Sequence, residues 1–248
     1  MNRAARFLVP ALSFCLLLVS GRAAFASGDA EDHDWVVGSG VIQSEERAVP
    51  AFSAIEVEGS GNVTFRQSPT QFVSVEADDN ILPLVKTEVV DGVLHVGLVR
   101  GSRVMHISRL EFSVASPRLT GLAISGSGNA RTASPVRADD LRLEIRGSGN
   151  IECDADASSL DAAIGGSGGI TARGRAERMS VTIGGSGSVR AHEMESRRAT
   201  VRIDGSGDAM IYATDTLDVS INGSGSVRYG GGARTTVHKS GSGGAWAL

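Results

Sequence analysis

Cysteine, aromatic residues and basic charge are all scarce in this sequence, and each shortage excludes a class of protein. Of the two cysteines in 248 residues, Cys15 lies in a predicted export signal, so Cys153 has no partner for an internal disulfide. Aromatic residues form 4% of the chain, too few for the aromatic platforms of a typical glycan-cleaving enzyme. The fold must therefore be held by its apolar core and its backbone ladder.

The sequence has no excess of basic residues with which to bind a nucleic acid. Loss of Arg3, Arg6 and Arg22 with the signal leaves 21 of the 24 Lys and Arg residues, against 28 Asp and Glu residues, which is a net charge of about −7. We expect neither a metal nor another cofactor, because the scattered histidines lack metal-ligand spacing. These histidines are His95, His106, His192 and His238.

The first 26 residues are typical of a signal peptide. A positively charged start is followed by an apolar run over 7–19 and by the cleavage site Ala24-Phe25-Ala26. Phe14 stands where a lipoprotein signal needs a small residue before Cys15. No later segment is long and apolar enough for a membrane helix, so we expect no transmembrane segment after signal removal. The predicted location is the periplasm or the cell surface of a bacterium.

After the signal, an acidic leader precedes the folded part. Residues 27–40 are small and acidic, which predicts a flexible leader. Residues 41–248 are predicted to form one domain, with Trp35 to Val37 docking on its end. Residues 66–118 are rich in strand patterns but lack the repeat described next, so we expect them to form an insertion beside or over one end of the domain.

A Gly-Ser-Gly motif recurs along the chain and organises it. The last seven copies are separated by 21, 19, 19, 20, 18 and 18 residues, and such a period indicates a repeat architecture. Glycine tolerates positive φ, and stacked corners leave no room for side chains, so we interpret the motif as a corner. Its copies lie at 59–61, 126–128, 147–149, 166–168, 185–187, 205–207, 223–225 and 241–243.

Apolar residues keep a constant offset from this corner, counted from the first glycine of each motif. Alternation on both sides of the motif predicts two strands per repeat, each with one buried face, joined by a polar bend. Cys153 falls at an inward offset, where a buried apolar role is favoured over a reactive thiol. A third inward contact is predicted ten residues after the motif, at Val136, Ala157, Ala176 and Ala233. Two residues before the motif stand Ile124, Ile145, Ile164, Ile183, Ile203 and Ile221.

These constant offsets predict an all-β fold, a single-stranded parallel β-helix or solenoid with coils of about 18 to 21 residues. A flat-sided solenoid of the other hand and a β-sandwich of short hairpins remain as alternatives. Asn62, Asn129 and Asn150 follow the motif, and stacked asparagines can form an amide ladder. The open end beyond Lys239, with Trp246 and Leu248, predicts a homo-oligomer.

Outward residues offer three candidate sites. Five residues after the motif, a row could bind an anionic glycan or form only solvated ion pairs. Asp204 and Asp208 bracket one corner and could hold calcium, although neighbouring coils do not repeat them. Glu144, Glu152 and Asp161 lie on adjacent coils and are the best carboxylate set for a glycan-cleaving enzyme. The predicted binding stripe is Arg131, Glu152, Thr171, Arg190 and Arg228, with Met210 between the last two.

The chain resembles the head GIN domain family, described as autotransporter adhesins of bacterial envelopes. The resemblance covers about residues 50–230 and rests on the Ile-x-Gly-Ser-Gly-Asn pattern, Val-Ser-Val-Glu-Ala-Asp-Asp-Asn-Ile-Leu and Val-Val-Asp-Gly-Val-Leu-His-Val. It implies a right-handed parallel β-helix outside the cytoplasm and transfers no catalytic residue.

These observations favour an exported, non-enzymatic envelope protein that binds a glycan or a protein along one face. The alternative is an accessory in envelope maintenance or stress that acts through a membrane partner. A glycan-cleaving enzyme is the third hypothesis.

Overall fold

The computed structural model describes residues 35–248, which form one compact unit. The predicted signal peptide over 1–26 and residues 27–34 of the predicted leader lie outside the described residues. The regular secondary structure of the described part consists of strands, apart from one 3-10 turn at Leu82–Leu84. The strands are Val36–Val37 (β1), Ile42–Glu46 (β2), Ala54–Gly59 (β3), Asn62–Gln67 (β4), Phe72–Asp78 (β5), Val85–Val90 (β6), Val93–Leu98 (β7), Val104–His106 (β8), Leu110–Ser116 (β9), Gly121–Gly126 (β10), Asn129–Thr132 (β11), Val136–Ile145 (β12), Asn150–Ile164 (β13), Gly169–Ile183 (β14), Ser188–Gly205 (β15), Asp208–Gly223 (β16), Ser226–Gly230 (β17), Arg234–Ser240 (β18) and Gly244–Ala247 (β19).

From β10 onward each strand pairs in parallel with the strand one coil away. Ile145 pairs with Ile164, which pairs with Ile183, and the six predicted isoleucines are all in register. Their side chains are at most 2% exposed, and burying one such side chain stabilises the fold by about 1.5 to 3 kcal/mol. The predicted parallel solenoid is confirmed and the β-sandwich alternative is wrong. Right-handed coiling stays a prediction.

A second buried ladder was not predicted from the sequence. It lies six residues before the motif, and each member pairs with the equivalent residue of the next coil. Its side chains differ in size and type, so it lacks the uniformity that marks the isoleucines. Its members are Leu141, Leu160, Met179, Ala199 and Leu217, all at most 3% exposed.

The predicted contact ten residues after the motif needs a correction. Val136 is buried but pairs with Ala155, whereas Ala157 pairs with Ala138. The coil containing Val136 has 21 residues between motifs and the next has 19, so counting from the preceding motif shifts the register by two residues.

The predicted division of each coil into two strands is wrong for the later coils. β13 to β16 run for 15 to 18 residues without interruption, from one motif nearly to the next. The polar bend is therefore a curved part of one strand. The difference in coil length is absorbed by register shifts between Ala191 and Glu195 and between Ser196 and Arg198.

Close stacking explains why the corners require glycine. The Ser148 amide donates to the carbonyl of Gly126 one coil away at 2.9 Å, and Ser167 does the same to Gly147 at 3.0 Å. A Cβ on Gly149 would overlap the Gly128 carbonyl oxygen, although Gly149 has no positive φ. Positive φ occurs at only some of the first glycines of the motif, such as Gly59 at 85°. Lack of space is therefore the more general reason.

The insertion over 66–118 extends the stack past its first coil. β7 and β9 pair in parallel with β3 and β4, on the side opposite β10 and β11. β6, β5 and β2 then add antiparallel strands. The β6–β7 hairpin turns at Asp91 and Gly92, with φ values of 50° and 76°, as its sequence predicts. We call β2 and β5 to β9 the cap.

The leader predicted over 27–40 ends earlier than expected. Val36 pairs with Val104 of β8, and the Gly40 amide donates to the buried Asp78 carboxylate at 2.7 Å. A Cβ on Gly38 would collide with the same carboxylate. Residues 36–40 are therefore part of the fold, which agrees with the docking predicted for Val36 and Val37.

Candidate functional site

The predicted binding stripe lies along a groove on the outer face of the stack. Arg131, Glu152, Thr171 and Arg190 line a depression of about 510 Å³. Arg190 also lines a second depression of about 170 Å³, which includes Arg228. The structure thus brings all five predicted stripe residues into one line of grooves. We call it the stripe groove.

The floor of the stripe groove carries the predicted asparagine ladder. The Asn150 amide nitrogen donates to Asn129 Oδ1 at 3.1 Å, and Asn129 donates to Asn62 Oδ1 at 2.9 Å. Asn62 donates in turn to Glu111 of β9 at 3.0 Å. Because a carboxylate can only accept, Glu111 orients the whole chain of amides and links the cap to the repeat.

The ladder stops where Gly169 replaces asparagine in the next coil. Gly169 is in register with Asn150, and a Cβ built on it would lie 3.0 Å from Asn150 Oδ1. The missing side chain leaves the groove open at its centre. Asn150 Oδ1 therefore faces this opening as a hydrogen-bond acceptor.

Acidic and basic side chains both line the stripe groove. Arg131 Nε donates to Thr64 Oγ1 at 3.1 Å. Within residues 35–248, Arg131, Arg190 and Arg228 form no ion pair shorter than 4.0 Å, although Glu152 is in register with Arg131. At about 4.8 Å per coil, Arg131 and Arg190 are about 14 Å apart along the stack. These guanidinium groups remain available to an anionic ligand.

One residue of this row was missed by the sequence reasoning. Trp246 pairs with Arg228 and lies five residues after Gly241, the first glycine of the last motif, so the row ends in an indole. The indole lies against Gly244, where a Cβ would overlap its ring, and remains 56% exposed. The constant offset from the motif is enough to predict from the sequence that Trp246 belongs to this row.

The three carboxylates of the enzyme hypothesis do not share one face. Glu152 lines the stripe groove, whereas Glu144 and Asp161 lie across the Gly-Ser-Gly corner, where both bind Arg142, at 3.1 and 2.9 Å. The Arg146 guanidinium, followed by that of Arg142, holds the pKa of Glu144 below its usual value. A general acid for glycoside cleavage needs a raised pKa, so Glu144 is poorly suited to that role.

Asp204 and Asp208 are each engaged within their own surroundings. The Asn222 amide and the Arg202 guanidinium hydrogen-bond to Asp204 and lower its pKa. Asp208 accepts the hydroxyl of Ser226 in the next coil. Among the described residues, no three His, Cys, Asp or Glu side chains are grouped to hold a metal ion. Both carboxylates are thus already bound by neighbouring side chains.

Cys153 is buried, as its inward offset predicts. Its side chain is 1% exposed, and burial, with a contribution from Asp154, raises the pKa of its thiol to about 12. Because the thiolate is the reactive form, this environment favours the apolar interpretation.

Comparison with known proteins agrees with the fold and the repeat. The family model described as "Putative auto-transporter adhesin, head GIN domain" matches residues 51–233. None of the curated proteins matches this chain. No helix within residues 35–248 is long and apolar enough to cross a membrane.

Several solved structures share this architecture. A crystal structure from Bacteroides fragilis, described as a putative adhesin, has a TM-score of 0.81 at 23% identity and covers 86% of this chain and 100% of that one. A protein from Parabacteroides distasonis described as a putative adhesin has a TM-score of 0.72 at 27% identity, with coverages of 87% and 100%. A protein from the same organism described as a putative lipid binding protein has a TM-score of 0.71 at 26% identity, with the same coverages. These structures agree with the parallel solenoid described above, and the family match supports an adhesin-like, exported protein.

Proposed function

Because the chain belongs to the head GIN domain family of auto-transporter adhesins, we propose that it is a non-enzymatic envelope protein that binds an extended anionic glycan along the stripe groove. Its location would be the periplasm or the cell surface. The observation that carries the proposal is the in-register row from Arg131 to Trp246, which places three arginines and one exposed indole in a single line.

The charges of the row suit a polymer with regularly spaced acidic groups. Guanidinium groups bind carboxylates, sulfates and phosphates through paired hydrogen bonds. Arg190 and Arg228 are two coils apart, which is about 10 Å, and Arg131 lies three coils beyond Arg190. An extended ligand can therefore contact several arginines at once, whereas a small anion can contact only one.

The groups between the arginines suit sugar hydroxyls. Glu152 and Thr171 offer hydrogen-bond acceptors and a hydroxyl donor, and Asn150 Oδ1 faces the opening at Gly169. Trp246 adds a flat apolar surface, and a sugar ring has an apolar face that can stack on it. Polar groups on the floor with one aromatic at the end favour a glycan over an apolar peptide.

The test compares binding of alginate, a carboxylated polysaccharide, with binding of neutral dextran. Replacing Arg131, Arg190 and Arg228 together by glutamine should weaken alginate binding roughly 10-fold to 100-fold, since each exposed ion pair contributes about 0.5 to 1 kcal/mol. Trp246→Ala should weaken it further. Affinity is measured by biolayer interferometry at fixed salt.

The control carries the same loss of charge on another face. Arg175, Arg178 and Arg198 are exposed and lie on the curved part of the coils, so their replacement by glutamine should leave most of the binding intact. Equal losses in the two triple variants would show that only net charge matters and would contradict the groove. Binding of dextran as strongly as alginate would contradict an anionic ligand.

A further inference from the structure

The cap carries a second exposed surface, separate from the stripe groove. β1 and β8 form a two-stranded parallel sheet in which Val36 pairs with Val104. Both valines pack against the core. By strand alternation, the neighbours of these two valines point to the opposite, outer face. We call this outer face, together with the preceding loop, the cap patch; it comprises Trp35, Val37, Val99, Arg100, Arg103 and Met105.

The apolar members of the cap patch are unusually exposed for their size. Met105 is 66% exposed, Trp35 is 57% exposed and Val37 is 52% exposed. The Val36 amide donates to the Arg103 carbonyl at 2.8 Å, which holds Trp35 beside Arg103. Three large apolar side chains and a guanidinium group thus lie on or beside one small sheet.

Positive charge accompanies these side chains. Residues 92–110 contain Arg100, Arg103 and Arg109 and no Asp or Glu. Arg109 is paired with Glu76 at 3.0 Å, but neither Arg100 nor Arg103 has an acidic partner among residues 35–248.

The acidic residues packed beneath the cap patch are already engaged. Asp78 is fully buried and accepts the Gly40 and Ser108 amides, at 2.7 and 2.9 Å. Asp79 accepts the Ser39 hydroxyl at 2.5 Å. Arg100 and Arg103 are therefore left to face outward.

We propose that the cap patch docks on the surface of a bilayer that contains anionic lipid. Tryptophan is enriched at membrane interfaces because its ring is apolar and its N–H is polar. Arginines beside it are attracted to anionic headgroups, and the two contributions together give stable binding where either alone is marginal. This docking is independent of the stripe groove.

The two tryptophans of the chain allow a direct test. The Trp246→Phe variant contains only Trp35, and its fluorescence should shift to the blue on adding phosphatidylcholine vesicles that contain phosphatidylglycerol. The Trp35→Phe variant retains only Trp246, which is almost equally exposed, and should not shift. Vesicles of phosphatidylcholine alone, or high salt, should abolish the shift.

Charge variants complete the experiment. Arg100→Gln with Arg103→Gln should weaken binding to the mixed vesicles about 25-fold, since each arginine near an anionic surface contributes a factor of about five. Arg175→Gln with Arg178→Gln removes equal charge from the coil face and should change binding little. Circular dichroism of each variant shows that it is folded.

Three results would overturn the proposal. The first is an absent shift in Trp246→Phe at low salt, which would also be the outcome if the patch bound a protein. The second is an equal shift in Trp35→Phe, and the third is an equal loss of binding in the two arginine pairs.

Discussion

At the scale of single residues, the second glycine of each motif determines whether the coils can stack. The Gly149 amide donates a hydrogen bond to the Gly126 carbonyl at 3.3 Å. A side chain at Gly149 would occupy the space of the Gly128 carbonyl oxygen. A few of the other glycines have open surroundings. Gly165, just before a motif, would place a Cβ no closer than 3.9 Å to another atom.

We expect Gly149→Ala to lower the free energy of unfolding by about 2 to 3 kcal/mol, because the new methyl group forces two coils apart. Gly165→Ala is the matched control, and it should change stability by about 0.5 kcal/mol or less. Urea denaturation followed by circular dichroism measures both. Equal destabilisation by the two variants would show that lost flexibility, rather than stacking distance, governs the corner.

Cys153 allows a prediction of pH dependence. Its thiol pKa rises from an ordinary value of 9.0 to about 12 in the folded protein, so the folded state retains the proton that the unfolded state loses. The contribution of the protonated thiol to the free energy of unfolding is fully present below pH 9. It is lost as pH rises towards 12, at about 1.4 kcal/mol per pH unit. Alkaline denaturation should therefore be shallower in Cys153→Ala than in the unchanged protein. Identical slopes would contradict the buried thiol.

At the scale of elements, the coils are joined by rows of like residues rather than by single contacts. The isoleucine ladder lies inside and the asparagine ladder outside, and both keep one offset from the motif. The outer ladder is shorter because Gly169 interrupts it. A single substitution at this position can therefore test how much an amide rung contributes.

Gly169→Asn should extend the ladder by donating to Asn150 Oδ1 and should stabilise the protein by about 0.5 to 1.5 kcal/mol. Gly169→Ala separates the effect of losing glycine from that of the added amide. The gain should disappear when Asn150→Ala is combined with Gly169→Asn, as a double-mutant cycle measures. A gain that survives this combination would exclude the amide bond as its cause.

At the scale of the whole molecule, the two ends of the stack differ. The cap covers the first coil with the parallel strands β7 and β9 and then with antiparallel strands. At the other end, β18 and β19 pair on one side only among the described residues. Lys239 stands beside Ile221 and ends the isoleucine ladder. Val237 of β18, Trp246 of β19 and Leu248 are exposed at this end. Such an edge can add further strands.

We expect this edge to associate with a second copy of the chain, end to end. Light scattering should show a mass that rises with protein concentration. Val237→Lys should shift the equilibrium to the monomer, whereas Val90→Lys, at a similarly exposed valine of the cap, should not. A monomer at every concentration, or equal effects of both variants, would contradict the prediction.

The sequence alone determined the repeating part of this protein. The coil length, the inward isoleucines, the corner, the amide ladder and the positions of the stripe all follow from constant offsets. Neighbouring coils are in contact at a fixed separation along the chain, so each contact leaves a periodic signal. The same constant offset also predicts that Trp246 belongs to the row of the stripe.

Only the tertiary structure decided the rest. β7 and β9 pair with β3 and β4, and β1 pairs with β8, over separations that occur once and leave no period. For the same reason the cap patch, assembled from Trp35 and residues 99–105, could not be recognised from the chain. The register inside the 21-residue coil was also predicted incorrectly. Val136 keeps a constant offset from the motif that comes after it in the chain, and not from the motif that precedes it. Contacts that repeat at a fixed separation can be predicted from a sequence, whereas contacts that occur once can be identified only in the folded structure.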